Sequence, residues 1–157
     1  MNEKLSISEV RLKLEYYCSY QERCHLDIIE KLKQFELTKS NMDEVIVHLI
    51  QNDFLNEERF ARSFARGKHR IKHWGKIRIV SELKFRQIST SNIKYALTEI
   101  TEEEYRETLD KISEKHWETI TERNLQKKRK KFCDYLLRKG WESNLVYEKL
   151  KEFENAI

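Results

Sequence analysis

Eight Arg and Lys side chains lie within twenty residues in the middle of the chain, and their chemistry suits anions. Arg is frequent among them, and its planar guanidinium makes two parallel hydrogen bonds to a phosphate or a carboxylate. Trp74 and Gly75 interrupt the series where we expect a break between helices, so backbone amides can also face an anion there. The pattern predicts a surface for phosphates or for an acidic protein, because such contacts release counterions and raise the local potential. We call this set the basic stripe: Arg59, Arg62, Arg66, Lys68, Arg70, Lys72, Lys76 and Arg78.

A second run of cations, the basic tract, lies further along the chain and consists of Lys127, Lys128, Arg129, Lys130 and Lys131. Its density indicates that carboxylates at i,i+4 cannot pair with all of it, because Arg123, Lys127 and Lys131 fall on one line of a helix. The alternative for both sets is a solvated helix face that only confers solubility. The balance of charge favours binding in the middle of the chain, where residues 51–100 hold 11 cations against 5 anions.

No catalytic or metal-binding motif accompanies these cations. The sequence lacks the GxxxxGKS/T, GxGxxG, HExxH, CxxC and DxDG patterns. His69 and His73 have the i,i+4 spacing of a chelating pair, but no further acidic or thiol ligand lies nearby, so we interpret them as part of a basic surface. Tyr16, Tyr17 and Tyr20 are interpreted as core residues rather than stacking platforms. We therefore expect a binding protein, not an enzyme, with no catalytic residue, no metal and no cofactor.

The elements that must position the basic stripe repeat along the chain. With Leu32, Leu83 and Leu136 in register, the offsets are 51 and 53 residues and five further apolar positions coincide. Such a period marks a supersecondary unit that is copied along the chain and that buries its apolar face against its neighbours. The coinciding sets are Ile28, Ile79 and Phe132; Leu37, Ile88 and Trp141; Met42, Ile93 and Val146; Ile46, Leu97 and Leu150; and Leu49, Ile100 and Phe153.

Each repeat is predicted to be helical. The chain has no Pro and only 3 Gly, and its apolar residues recur at i, i+3/i+4 and i+7. The predicted fold class is all-α, with three tandem three-helix repeats in an elongated, curved, solenoid-like array. The predicted repeats span residues 1–52, 53–100 (the basic, signature-bearing repeat) and 101–157.

Residues typical of helix starts and ends support this interpretation. Ser6, Thr101 and Thr119 each precede a Glu by three residues, which is typical of a helix N-terminus, and Gly140 is typical of a helix end. In the middle repeat, Asn56 is the predicted N-cap. Phe60 and Phe64 share one helix face there and are predicted to be core residues.

Composition indicates where in the cell the protein is expected and whether its cysteines are reduced. No stretch approaches the roughly 20 apolar residues of a membrane-spanning helix, and the polar start lacks an apolar signal core, so we expect a cytoplasmic protein without a membrane partner. The mean hydropathy is −0.81. Three cysteines at unmatched spacing indicate reduced thiols. We also expect a monomer.

The segment from Phe54 to Ala61, followed by Gly75-Lys-Ile-Arg78-Ile79-x-x-Glu82-Leu83, resembles the central signature of the RecX family of bacterial recombination regulators. Asp27-Ile28-x-x-Lys31-Leu32 is similar to an element of the family's first repeat. The segment from Phe132 to Trp141 is similar to its C-terminal element. The resemblance covers residues 20–153 in order.

The sequence departs from the family pattern at several turns and caps. His73 and Gln87 stand where the family usually has glycine, which leaves the conformation of two turns open. Cys24 replaces a usual Ser or Thr cap. Asn56 and Glu57 replace two aspartates but preserve capping and charge.

The resemblance implies three tandem three-helix units. It also implies a partner, the RecA nucleoprotein filament on single-stranded DNA, and an activity, the inhibition of RecA ATP hydrolysis, strand exchange and coprotease function. The basic stripe could then meet the acidic surface of RecA or the phosphates of single- or double-stranded DNA. The alternative from another class is a stand-alone helical nucleic-acid-binding protein that uses the same stripe.

Overall fold

The computed structural model describes residues 4–156, which form nine α-helices and no β-strand. The all-α prediction is confirmed. None of the helices in this range is long and apolar enough to span a membrane. The helices are α1 Ile7–Tyr20, α2 His25–Leu32, α3 Lys39–Gln51, α4 Glu57–Lys72, α5 Lys76–Phe85, α6 Thr90–Leu97, α7 Glu102–Thr119, α8 Leu125–Arg138 and α9 Ser143–Asn155.

Most of the predicted helix starts are confirmed. The side chains of Ser6, Asn56 and Thr101 each accept a hydrogen bond from the backbone N–H three residues later, at 2.9–3.2 Å. The predicted start at Thr119 is wrong, because the buried face of α7 continues to the end of that helix and Thr119 is its last residue. The Thr119 hydroxyl donates to a carbonyl within the same final turn, and α8 begins instead after the cap Asn124.

Four helix ends are closed by a residue with left-handed backbone. The φ angles are 60° at Asp53, 59° at His73, 60° at Gln87 and 96° at Gly140. Gln87 and Gly140 occupy the same position of the sequence repeat, and the next N–H in each case reaches back five residues to a helix carbonyl at 3.1 Å. His73 and Gln87 therefore keep the turn that a glycine would make, although L side chains pay a conformational penalty there.

Contacts between residues divide the chain into two compact units. The N-terminal unit comprises residues 4–63 and 83–95, and the C-terminal unit comprises residues 64–82 and 96–156. The division into repeats at 1–52, 53–100 and 101–157 stays a prediction.

The core of the N-terminal unit is built by the buried faces of α1, α2 and α3. On α1 the buried residues are Val10, Leu14 and Cys18, at i, i+4 and i+8. Tyr16 and Tyr20 are displaced from that face, since successive residues turn by about 100°. They are 74% and 75% exposed, so the prediction that they are core residues is wrong.

The core of the C-terminal unit is aromatic. Trp117, Phe132 and Phe153 contact one another with ring centroids 5.5–5.7 Å apart. The three cysteines of the chain are buried and unpaired, and burial raises the pKa of the Cys18 thiol to about 11.

The two predicted core residues of α4 have different environments. Phe60 is buried, as predicted. Phe64 is only half-buried, and its ring meets the edge of Trp74 at 6.1 Å between centroids. The prediction for Phe64 is therefore only partly right, because this ring lies near the surface of the C-terminal unit.

Candidate cationic binding site

Two glycines hold the start of α5 against the turn that follows α8 in the C-terminal unit. The Gly75 N–H donates to the Lys139 carbonyl at 2.9 Å. A Cβ atom on Gly75 would lie 2.4 Å from the Gly140 carbonyl oxygen, and one on Gly140 would lie 2.3 Å from the Arg78 Cβ. Because only glycine permits this approach, the two residues fix the position of the first turn of α5, which carries Arg78.

A buried aromatic layer supports the connection between α4 and α5. His69 is fully buried, so its interpretation as a basic surface residue is wrong. Its ring lies 5.5 Å from Tyr105 and 5.9 Å from Trp141, which stack on each other at 4.4 Å. The His69 Nδ1 lies 3.0 Å from the Trp74 carbonyl and therefore carries the proton, because a carbonyl only accepts. The Trp141 indole N–H donates to the His73 carbonyl at 3.1 Å.

Tyr105 holds the first turn of α5. Its hydroxyl accepts the backbone N–H of Lys76 at 2.9 Å and donates to the Glu142 carboxylate. Burial raises the pKa of Tyr105, and the hydrogen bond to Glu142 raises it further. The phenol therefore stays neutral and its hydrogen bonds keep the connection in place.

Two members of the basic stripe contact the Trp74 ring at the surface, and a third, Lys72, lies two residues before it in the chain. The Lys68 Nζ lies 5.1 Å from the centroid of the Trp74 ring and the Arg78 Cζ lies 4.2 Å from it. Lys72 is exposed in the last turn of α4. None of the three cations pairs with a carboxylate among residues 4–156. We call Lys68, Lys72, Trp74 and Arg78 the Trp74 cluster.

Lys139 adds a fourth cation beside this cluster. Its Nζ donates to the Lys72 carbonyl at 2.8 Å. Burial lowers the pKa of Lys139, and the positive charges of Arg78 and Lys72 lower it further. Sequence reasoning missed Lys139 because it lies 67 residues from Lys72. The available signal was its place just before Gly140, in the segment that resembles the family's C-terminal element.

The other members of the basic stripe have acidic partners. Arg59, in the N-terminal unit, places its Nε 2.8 and 2.9 Å from the two oxygens of Glu22, and this hydrogen bonding raises the pKa of Arg59. Hydrogen bonding to Glu104 likewise raises the pKa of Arg70. Further ion pairs of these residues are Arg59–Asp53 at 3.1 Å, Arg62–Glu58 at 3.8 Å, Arg66–Glu99 at 3.4 Å, Arg70–Glu104 at 2.9 Å and Lys76–Glu102 at 3.7 Å.

The basic tract is more fully paired than its density indicated. Arg129 binds Glu154 through two hydrogen bonds. Two lysines also find carboxylates, Lys130 with Asp134 at 2.8 Å and Lys131 with Glu122 at 3.5 Å. Only Lys130 has its partner at i,i+4, while the partners of Arg129 and Lys131 lie 25 and 9 residues away. Lys128 instead covers the Trp117 ring, with its Nζ 4.1 Å from the centroid.

Candidate metal ligands do not cluster in the part of the chain that the structure describes. No group of three or more His, Cys, Asp or Glu side chains there could hold an ion.

Comparison with known proteins identifies relatives. Residues 56–97 match the family model described as RecX, second three-helix domain. A regulatory protein RecX of Limosilactobacillus reuteri (strain DSM 20016) is 27% identical over 136 residues, 87% of this chain and 51% of that protein. The RecX of Bacillus cereus (strain AH820) is 24% identical over 149 residues, 95% of this chain and 55% of that protein. The chain thus spans about half the length of these relatives.

Solved structures agree with the sequence matches. A crystal structure of a regulatory protein RecX superposes with a TM-score of 0.81 at 25% identity, covering 93% of this chain and 73% of that one. RecX from Lactobacillus salivarius superposes with a TM-score of 0.79 at 24% identity, covering 94% and 96%. The family model, the relatives along most of the chain and the shared fold lead to one conclusion: residues 56–97 match the second three-helix domain of RecX, and along most of its length the chain is similar in sequence and fold to RecX regulatory proteins.

Proposed function

We propose that this protein binds the RecA filament on single-stranded DNA and inhibits RecA ATP hydrolysis, strand exchange and coprotease activity. Similarity to RecX regulatory proteins along most of the chain supports this partner. The proposed regulator is a cytoplasmic monomer without catalysis of its own, and it modulates DNA repair and recombination. Three tandem three-helix repeats would give it several contact surfaces, which suits a partner made of successive identical protomers.

One observation carries the choice of surface: the three cations of the Trp74 cluster have no carboxylate partner among residues 4–156. Lys68, Lys72 and Arg78 can therefore form new ion pairs without first breaking old ones, unlike Arg66 or Arg70. The positive charges of two of them, Arg78 and Lys72, lower the pKa of the nearby Lys139. An anion at this surface would relieve that repulsion, so the proposal places acidic RecA side chains or DNA phosphates here.

The test is titration of the protein into cognate RecA, circular single-stranded DNA and ATP while phosphate release is followed. The proposal predicts that ATP hydrolysis falls at amounts below one protein per RecA. An unchanged rate of ATP hydrolysis at stoichiometric amounts of the protein would refute the proposal.

The rival function, a stand-alone nucleic-acid-binding protein, predicts a different pattern. Such a protein would bind naked DNA with a steep salt slope, about −0.9 for each phosphate neutralised on a duplex. It would slow RecA only at amounts that cover the DNA. Binding to naked duplex, measured over the same salt range as the ATPase titration, separates the two functions.

A further inference from the structure

An open groove on the N-terminal unit combines exposed aromatic rings with cations. It lies beside α1 and α2 and has a volume of about 600 Å³. Leu12, Tyr16 and Tyr20 line it and are 66%, 74% and 75% exposed. Because they are four residues apart on one helix, they form a continuous ridge with about 6 Å of rise between neighbours. Exposed apolar side chains thus lie side by side along one wall of the groove.

The charge of the groove is wholly positive. Lys13, Arg23 and Lys31 line it, and no carboxylate does. The Arg23 guanidinium lies 3.6 Å from the centroid of the Tyr17 ring, and its Nε donates to the Tyr17 carbonyl at 3.0 Å. The Lys31 Nζ lies 5.3 Å from the same ring. Tyr17 therefore contacts two of the three cations that line the groove.

Nearby carboxylates do not neutralise these cations, because they bind elsewhere. Glu15 lies 2.7 Å from the His48 Nε2, and Glu22 binds Arg59. Lys13, Arg23 and Lys31 form no ion pair in residues 4–156. The groove thus complements an anion that also presents flat apolar surface.

We propose that this groove binds single-stranded nucleic acid, with Tyr16 and Tyr20 stacking on bases and with Lys13, Arg23 and Lys31 contacting phosphates. Positive grooves lined with aromatic platforms bind single strands in this way without sequence preference. A docking protein helix would instead require a pocket that desolvates its anchor side chains. Here the two tyrosines project into solvent and leave their ring faces open. The inference concerns a different surface from the Trp74 cluster and holds whether or not the proposed function does.

The experiment uses the full chain and fluorescein-labelled oligo(dT) of 15 nucleotides, with anisotropy measured at about 50 mM NaCl. A base that stacks on an aromatic side chain contributes at least about 1 kcal/mol, which is a factor of roughly 5 in the dissociation constant. Removing two stacks with Tyr16→Ala/Tyr20→Ala should therefore weaken binding roughly 30-fold. Tyr16→Phe/Tyr20→Phe should bind like wild type, since a phenyl ring also stacks. Tyr147→Ala is the matched control, because Tyr147 is also exposed but lies on α9.

Two further measurements define the ligand. Lys13→Ala/Lys31→Ala should reduce the salt slope by about 1.4, from roughly 0.7 for each phosphate contact on a single strand. Oligo(rU) of the same length distinguishes RNA from DNA as the source of the strand.

A 5-iodouracil in the oligonucleotide should crosslink to the α1 peptide that contains Tyr16 and Tyr20. The affinity of each variant for oligo(dT) is the measurement that tests the inference. If the double alanine variant binds oligo(dT) as tightly as wild type does, the strand binds elsewhere and the inference is overturned. If the wild type binds no oligo(dT), it is also overturned, and an acidic peptide becomes the remaining occupant for this groove.

Discussion

Replacing Gly140 by Ala should destabilise the C-terminal unit by about 2–5 kcal/mol. The φ angle of 96° costs an L residue roughly 1–2 kcal/mol. The new methyl group would also lie 2.3 Å from the Arg78 Cβ and 2.4 Å from its backbone nitrogen. Backbone must move to relieve that overlap, and overpacking of this kind costs roughly 1–3 kcal/mol.

Urea unfolding followed by tryptophan fluorescence measures this loss in the right part of the molecule. All 3 tryptophans, Trp74, Trp117 and Trp141, lie in the C-terminal unit. With a slope of roughly 1–3 kcal/mol/M, a loss of about 3 kcal/mol lowers the midpoint by about 1–3 M.

Gly67→Ala is the control, because nothing lies within 4 Å of its added methyl group. It sits inside α4, where Ala is favoured over Gly by roughly 0.5–1 kcal/mol, so its midpoint should rise slightly. A Gly140→Ala midpoint equal to that of wild type would refute the close approach of the two backbones.

Three other changes test different parts of the fold. Phe60→Ala should cost about 3–5 kcal/mol, because the ring is 6% exposed, and an unchanged thermal melt would show that it is not a core residue. Gln87→Gly should stabilise the protein by up to roughly 1 kcal/mol, since relief of the left-handed penalty exceeds the entropy that glycine adds to the unfolded chain; a lower melting temperature would contradict this. Burial lowers the pKa of both His73 and His116, so the unfolded chain binds more protons and stability should fall as pH drops below about 6.5. His116→Phe should flatten part of that fall in melts between pH 7.5 and 5.5, and an unaltered pH profile would exclude His116 as a contributor.

Local patterns in the sequence predicted the helices and most of their starts. Apolar spacing and caps depend on residues within about four positions of each other, and such signals need no knowledge of the fold. The caps Ser6, Asn56 and Thr101, for example, are found where predicted. The basic stripe was also visible because its members are close in sequence.

Contacts between residues far apart in the chain could not be predicted from the sequence. Arg70 pairs with Glu104, 34 residues away, so its charge is compensated although its neighbours in sequence are cations. Lys139 joins the Trp74 cluster from 67 residues away through the Lys72 carbonyl. Such pairings depend on tertiary packing and leave no periodic trace.

Burial of single rings also depends on tertiary packing. His69 is fully buried because Tyr105 and Trp141 enclose it, although it lies within a basic segment. Tyr16 and Tyr20 are exposed because the face of α1 beside them fills the core. Composition alone suggested the opposite for all three residues.

The central proposal is that the cations of the Trp74 cluster, which lack carboxylate partners among residues 4–156, carry the regulation of RecA. Two triple variants with the same change in net charge test it most directly: Lys68→Ala/Lys72→Ala/Arg78→Ala removes unpaired cations, and Arg66→Ala/Arg70→Ala/Lys76→Ala removes paired ones. Exposed charges add little to folding, so circular dichroism and melting should confirm that both variants are folded.

The decisive measurement is inhibition of RecA-dependent ATP hydrolysis on single-stranded DNA by wild type and both variants at moderate salt. The proposal predicts that the unpaired triple loses most of its inhibition and that the paired triple loses less, with the difference shrinking as salt shortens the Debye length. Equal inhibition by the unpaired triple and wild type would contradict the claim, as would equal losses in the two variants.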